Sequence, residues 1–123
     1  MYVLDSSAFI EIANSTKRAQ SLHVLTGDAP LAVTTITVHE LLLTNNEKER
    51  FIINGLLTGL QIVEHDELAA RNGAAIETQL VKEGKKINRA DIFIAAICKA
   101  NNAHLITVDK DFAKIKGLQV TVL

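Results

Sequence analysis

Tryptophan is absent, tyrosine occurs once, and aromatic residues make up 4% of the 123 positions. That scarcity argues against a surface that grips single-stranded nucleic acid by stacking base after base. A single cysteine, Cys98, excludes an internal disulfide, and its place at the end of the run from Ile92 reads as a small buried apolar side chain, not a reactive thiol. Proline occurs once, at Pro30, and there is no repeat, low-complexity segment or linker. No apolar run approaches the ~20 residues of a membrane helix. The start, MYVLDSS, lacks the basic residues and long apolar middle of a signal peptide. A cytoplasmic protein with no membrane association is therefore expected. Neither sign of charge dominates: 13 basic and 14 acidic side chains leave a formal net charge of −1. Without a global basic field, any affinity for nucleic acid must come from a local patch or a metal.

What is present is an ordinary globular mixture, 48% apolar and 22% charged. The length fits one domain, residues 1–123, with a core of its own. Short apolar runs predict strands at Tyr2–Leu4, Leu31–Thr34, Leu60–Val63, His104–Val108 and Leu118–Leu123. Between them, helices are predicted over Ala8–Ala13, Lys17–Thr26, a segment carrying Val38–Leu43 and capped within Thr34–Thr37, Lys48–Leu57, and Glu67–Lys82. Asp66 is expected to cap that last helix, with Leu68, Ala75, Ile76 and Leu80 as core contacts. A further helix is expected to open at Asp91 and to end at Asn101-Asn102-Ala103. Strands alternating with helices indicate an α/β fold whose mostly parallel central sheet is flanked by helices.

The acids carry the chemistry. Asp5 follows the first strand, where an Asp often caps a helix; Ser6 and Ser7 are also available for that task. Glu40 lies three residues after Thr37, the spacing of a capping box, yet its apolar neighbours imply burial and hence a partner. Asp91 suits the positive end of a helix dipole. Asp109 and Asp111 follow the fourth strand in an Asp-Lys-Asp sequence that also resembles a solvated turn. Each position alone has an ordinary structural explanation. Together, Asp5, Glu40, Asp91 and Asp109 all fall where an apolar strand ends or an apolar helix begins. In a parallel sheet such points share one edge, the edge at which ligands bind. Carboxylates gathered there repel one another unless a cation neutralises them. A hard divalent ion, Mg²⁺ or Mn²⁺, suits such a site, and phosphoryl transfer by a metal-activated water is the chemistry it supports.

These residues also carry a resemblance. Val3-Leu4-Asp5-Ser6-Ser7-Ala8, the Thr34–Leu42 segment with Glu40, Asp91-Ile92-Phe93-Ile94-Ala95-Ala96, and Leu105-Ile106-Thr107-Val108-Asp109-Lys110-Asp111-Phe112 stand in this order along a short chain. In that arrangement the sequence resembles the PIN domains, and most closely the VapC-like toxin ribonucleases. The resemblance implies a PIN-like fold and a Mg²⁺- or Mn²⁺-dependent endoribonuclease that hydrolyses RNA. It assigns Asp5 and Asp91 as inner metal ligands, with Glu40 and Asp109 acting through water or holding a second ion. Ser6 and Thr107 match supporting hydroxyl positions, and either Asp109 or Asp111 fills the fourth acidic position. It further implies a homodimer and a small antitoxin whose tail enters the site. Lys85, Lys86 and Arg89, just before Asp91, suit contacts to RNA backbone phosphates, and Lys110, Lys114 and Lys116 suit an extension of that patch. No feature of the sequence reads bases.

Three other readings compete. A phosphoacceptor receiver module requires an acidic pair after the first strand, whereas serines follow Asp5. A catalytically silent PIN-like binding module has no need of all four acids. An RNA-processing nuclease outside a toxin–antitoxin system shares every feature of the sequence.

Overall fold

The short apolar runs become the strands of one sheet. In a computed structural model that describes Met1 to Leu123, the strands are β1 (Tyr2–Leu4), β2 (Leu31–Thr34), β3 (Gln61–Val63), β4 (His104–Thr107) and β5 (Val120–Val122). They pair in the order β3-β2-β1-β4-β5, and every pair is parallel. The helices are α1 (Ser6–Ala13), α2 (Lys17–Thr26), α3 (Thr35–Leu42), α4 (Glu47–Leu57), α5 (Glu67–Lys82) and α6 (Arg89–Ala100), and a short 3-10 helix covers Lys110–Lys114. This is the expected α/β architecture, a central parallel sheet with flanking helices.

Alternation along each strand sends neighbouring side chains to opposite faces. Val3, Ala32 and Leu105 pack with Ile76, Leu80 and Ile94 of α5 and α6. The next residues along the same strands, Leu4, Val33 and Ile106, pack with Ala8, Phe9, Leu22, Leu41 and Ile53 on the other face. All six strand residues are fully buried, as a parallel sheet covered on both sides requires. Leu4 stands opposite both Val33 and Ile106. The three central strands therefore end level, and the residues that follow them emerge together.

Several boundaries differ from the sequence expectation. Helix α1 begins at Ser6, not Ala8, because Asp5 is itself the cap: its Oδ1 accepts from Ala8 N at 3.0 Å. Helix α3 is capped by Thr34, whose hydroxyl oxygen accepts from Thr37 N at 3.1 Å. Glu40 consequently lies near the end of that helix and forms no capping box. Asn46 starts α4 by accepting from Glu49 N at 3.1 Å. Asn88 caps α6, so the helix opens two residues before Asp91, which lies in its first turn as a helix-dipole partner should.

Asp66 caps α5 as expected, accepting from Ala69 N at 2.9 Å, and Ile76 and Leu80 are buried as expected, but Leu68 and Ala75 are not part of the stripe. Ala69, Gly73, Ile76 and Leu80 face the core, at the i, i+4, i+7 spacing of one helix face. Leu68 is 53% exposed and Ala75 is also exposed, because both fall on the adjoining face. Gly73 permits a close approach to α6: a Cβ there would lie 3.4 Å from that of Ala96.

Candidate active site

Strand β1 hands the chain to α1 through Asp5, which is only 5% exposed. Its carboxylate is held on both oxygens. Oδ1 accepts from Ala8 N at 3.0 Å and from Ser7 Oγ at 2.7 Å; Oδ2 accepts from Thr107 Oγ1 at 2.6 Å. Thr107, the last residue of β4, is fully buried, and its hydroxyl oxygen in turn accepts from Asp109 N at 2.9 Å. Ser7 Oγ accepts from Val108 N at 2.9 Å. That bond draws the backbone out of the ladder after Thr107, one residue earlier than expected. Two hydroxyls thus fasten the loop after β4 to the start of α1, with Asp5 between them.

Ser7 is the residue that sequence reasoning missed. Ser6 and Thr107 were the expected supporting hydroxyls, but Ser6 serves a different acid: its Oγ donates to Glu40 Oε1 at 2.8 Å. The spacing of Asp5 and Ser7 was the available signal. A serine two residues after an N-cap carboxylate stands within reach of it. Glu40 itself is exposed, contrary to the burial expected from its neighbours. Only part of α3 faces inward, with Thr37 and Leu41 buried, and Glu40 lies about 100° around the helix from Leu41.

Asp91, on the first turn of α6, is half-buried. Its carboxyl is pushed up from 3.8 to about 6, first by burial and then by the negative charges of Asp109, Glu40, Asp5 and Asp111, in that order. Four acids from three other parts of the chain therefore impose their fields on one side chain. Asp109 also caps the 3-10 helix, its Oδ1 accepting from Asp111 N at 2.9 Å. Asp111 is paired with Lys114 at 2.8 Å.

The donor set is all carboxylate, which matches Mg²⁺ or Mn²⁺ and not a softer metal. No three acidic, histidine or cysteine side chains stand close enough to hold one ion between them. Asp5 Oδ1 already accepts two bonds, whereas Oδ2 accepts one and retains a lone pair. These residues fit an ion held by one or two carboxylates and otherwise by water, as Mg²⁺ is usually bound.

Of the three basic residues expected to meet RNA, two already have partners. Arg89 forms a fork with Glu77, Nε donating at 2.9 Å and Nη2 at 3.3 Å. Lys85 pairs with Glu83 at 2.8 Å, and Lys116 joins the same carboxylate at 3.2 Å. Those lysines, together with Gln79, hold the Glu83 carboxyl well below the usual range. Lys86 is exposed. Cys98 is fully buried, and its thiol is pushed up to about 12, by burial above all. No helix is long and apolar enough to cross a membrane.

Comparison with known proteins places the fold. The chain is 27% identical to ribonuclease VapC5 of Mycobacterium tuberculosis over 118 residues, covering 94% of this chain and 87% of that protein. Its fold is similar to that in the crystal structure of VapBC2 from Rickettsia felis bound to a promoter DNA fragment. The TM-score there is 0.86, with 22% identity and coverage of 99% of this chain and 98% of that one. It is also similar to VapBC-5 from Mycobacterium tuberculosis, a member of the VapBC family of toxin–antitoxin systems. That TM-score is 0.71, with 26% identity and coverage of 98% and 95%. The family profile of the PIN domain matches residues 2–118, and the chain belongs to that family.

Proposed function

We propose that this chain is a divalent-metal-dependent endoribonuclease of the VapC kind, which hydrolyses phosphodiester bonds in RNA. The observation that carries the reading is the gathering of acids at one edge of the sheet: Thr107 ties Asp5 to the Asp109 backbone, Ser6 holds Glu40, and the charges of these acids help to raise the Asp91 carboxyl. The likeness to ribonuclease VapC5 supports RNA as the substrate.

In this reading Asp5 and Asp91 hold Mg²⁺ or Mn²⁺ directly, and Glu40 and Asp109 act through water or at a second ion. Asp109 is preferred over Asp111 as the fourth acid, because its amide is bonded to Thr107, the partner of Asp5, and Asp111 is engaged by Lys114. An ion bound there supplies a water of lowered pKa and neutralises charge on the leaving oxygen. Ser7 and Thr107 fix the angle of the Asp5 carboxylate, and Ser6 orients Glu40. Lys86, with Lys85 beside it, contacts backbone phosphates, whereas Arg89, its charge offset by Glu77, does not.

A small antitoxin belongs to the same reading. Beside Ser6 and Glu40 runs a groove of about 410 Å³ lined by Phe9, Ile10, Leu43 and Ile52, among others. Ile10 is 49%, Leu43 74% and Ile52 58% exposed, so an apolar helix face lies uncovered next to a carboxylate. A partner helix with apolar side chains and one basic residue complements that surface, and the basic residue competes with metal for the acids. Homodimerisation is the remaining part of the proposal. Exposed Val24 and Leu25 on α2 supply apolar surface for a second copy, which sedimentation velocity tests.

The deciding experiment incubates the purified chain with 5′-labelled single-stranded RNA. Cutting is expected with Mg²⁺ or Mn²⁺, and none with EDTA or with Asp5→Asn. Undiminished cutting by a folded Asp5→Asn variant removes Asp5 from the mechanism.

A further inference from the structure

Two aromatic pairs mark the two ends of the sheet. Tyr2 and His104, at the strand starts, have ring centroids 5.5 Å apart. His65 and Phe93 lie 5.1 Å apart, tilted by 48°. His65 follows β3 and Phe93 sits near the start of α6, so this second pair occupies the end that carries the acids. It borders a hollow of about 220 Å³, together with Ile92, Arg89 and Glu77. His65 is exposed and Phe93 half-buried.

Arg89 and Phe93 are four residues apart on α6 and share one face. Glu77 reaches across from α5 and takes Arg89 in a two-point grip at 2.9 and 3.3 Å. The grip fixes the guanidinium plane. It uses Nε and Nη2, and a guanidinium has five N–H donors, so Nη1 remains open to a ligand. It also cancels the charge of Arg89, which makes this corner a poor seat for a phosphate. The hollow thus combines an aromatic wall, a rigid donor and a carboxylate acceptor, with no net charge. It is smaller than the ~300 Å³ at which pockets for drug-sized ligands begin, which suits one ring system.

We propose that this hollow receives one unpaired base of the RNA strand being cut, packed against His65 and Phe93 and read along its edge by Arg89 and Glu77. Proteins that select single-stranded RNA stack splayed bases on aromatic rings and hydrogen-bond their edges. The inference rests on the ribonuclease reading, and it gives that activity a sequence preference. The overall scarcity of aromatic residues is no obstacle, because one base needs one pair and not a multi-base platform.

The test is cleavage of a random-sequence single-stranded RNA pool with Mn²⁺, followed by sequencing of the new ends. Wild type is expected to show a base bias at a fixed position beside the cut. Phe93→Leu keeps an apolar cover over Ile92 but removes the ring. It should erase that bias and raise KM about ten-fold, and Phe93→Trp should restore both. Glu77→Gln, which exchanges an acceptor for a mixed edge, should change which base is preferred. An unaltered bias in both Phe93→Leu and Glu77→Gln overturns the proposal and leaves the pair a cover for the core. If wild type yields no ends above the Asp5→Asn background, the nuclease reading fails and the base site with it.

Discussion

Thr107 donates its hydroxyl proton to Asp5 Oδ2 at 2.6 Å, a bond that joins positions 102 residues apart. Both side chains are buried, so neither has water as a substitute partner. Thr107→Val preserves shape but strands a carboxylate oxygen and the Asp109 amide. It should cost about 1–3 kcal/mol of stability and at least ten-fold in RNA cutting. Thr107→Ser should keep most of both. Chemical denaturation and a cleavage time course measure the two effects, and a Thr107→Val enzyme of normal rate refutes the positioning role.

Asp91 gives a pH prediction with a definite sign. Its carboxyl titrates at about 6 in the folded chain against a reference of 3.8. A raised folded-state value favours the protonated form, so this contribution to stability is complete below 3.8 and is lost as pH rises through about 6. In metal-free buffer, Asp91→Asn should therefore melt above wild type at about pH 8, and the gap should close by about pH 4. Because the side chain is half-exposed, screening reduces the effect to about 1 kcal/mol, or roughly 3 °C. A variant that melts below wild type at about pH 8 contradicts the repulsion.

The same crowding predicts a response to metal. Mn²⁺ should raise the melting temperature of wild type, since a ligand that binds only the folded chain stabilises it. Asp91→Asn should weaken the shift, and EDTA should reverse it. Differential scanning fluorimetry across a Mn²⁺ series is sufficient, and a flat wild-type curve counts against the site.

Glu40 separates stability from activity. It is exposed and bonded to Ser6 alone among side chains. Glu40→Gln should change stability by less than about 0.5 kcal/mol while cutting falls about ten-fold or more. If stability and activity fall together, Glu40 is a packing residue after all.

The apolar groove yields a test of regulation. Ile52 is 58% exposed, so Ile52→Glu should leave both fold and cutting intact. It should abolish inhibition by a co-expressed partner, read as loss of growth rescue. Unimpaired rescue moves the partner off this surface.

The strands were legible because a parallel strand buried on both faces is a continuous apolar run, and Val3-Leu4 and Leu105-Ile106 are such runs. The edge location of the acids followed from the same fact. Rotation about a helix axis was much less legible. Ser6 and Ser7 differ by one step of about 100°, and that step decides which acid each serves. The same uncertainty hid the exposure of Glu40 and of Leu68. The capping role of Asp5 was obscured because Ser6 and Ser7 are equally plausible caps on local grounds. Only the bond from Thr107, invisible in any short window, shows why a carboxylate stands there. The pairing of Arg89 with Glu77 is likewise a contact between helices that no spacing announces.

Strand β1 lies at the middle of the sheet, between β2 and β4, although it precedes both of them along the chain. During synthesis it can pair early with β2, but its other side stays open until residues 104–107 have left the ribosome. Asp5 has no Thr107, and Asp91 no Asp109, before that moment. A polypeptide cut short before β4 therefore carries Asp5 without the pocket around it, and the constellation is complete only when the fourth strand lies beside the first.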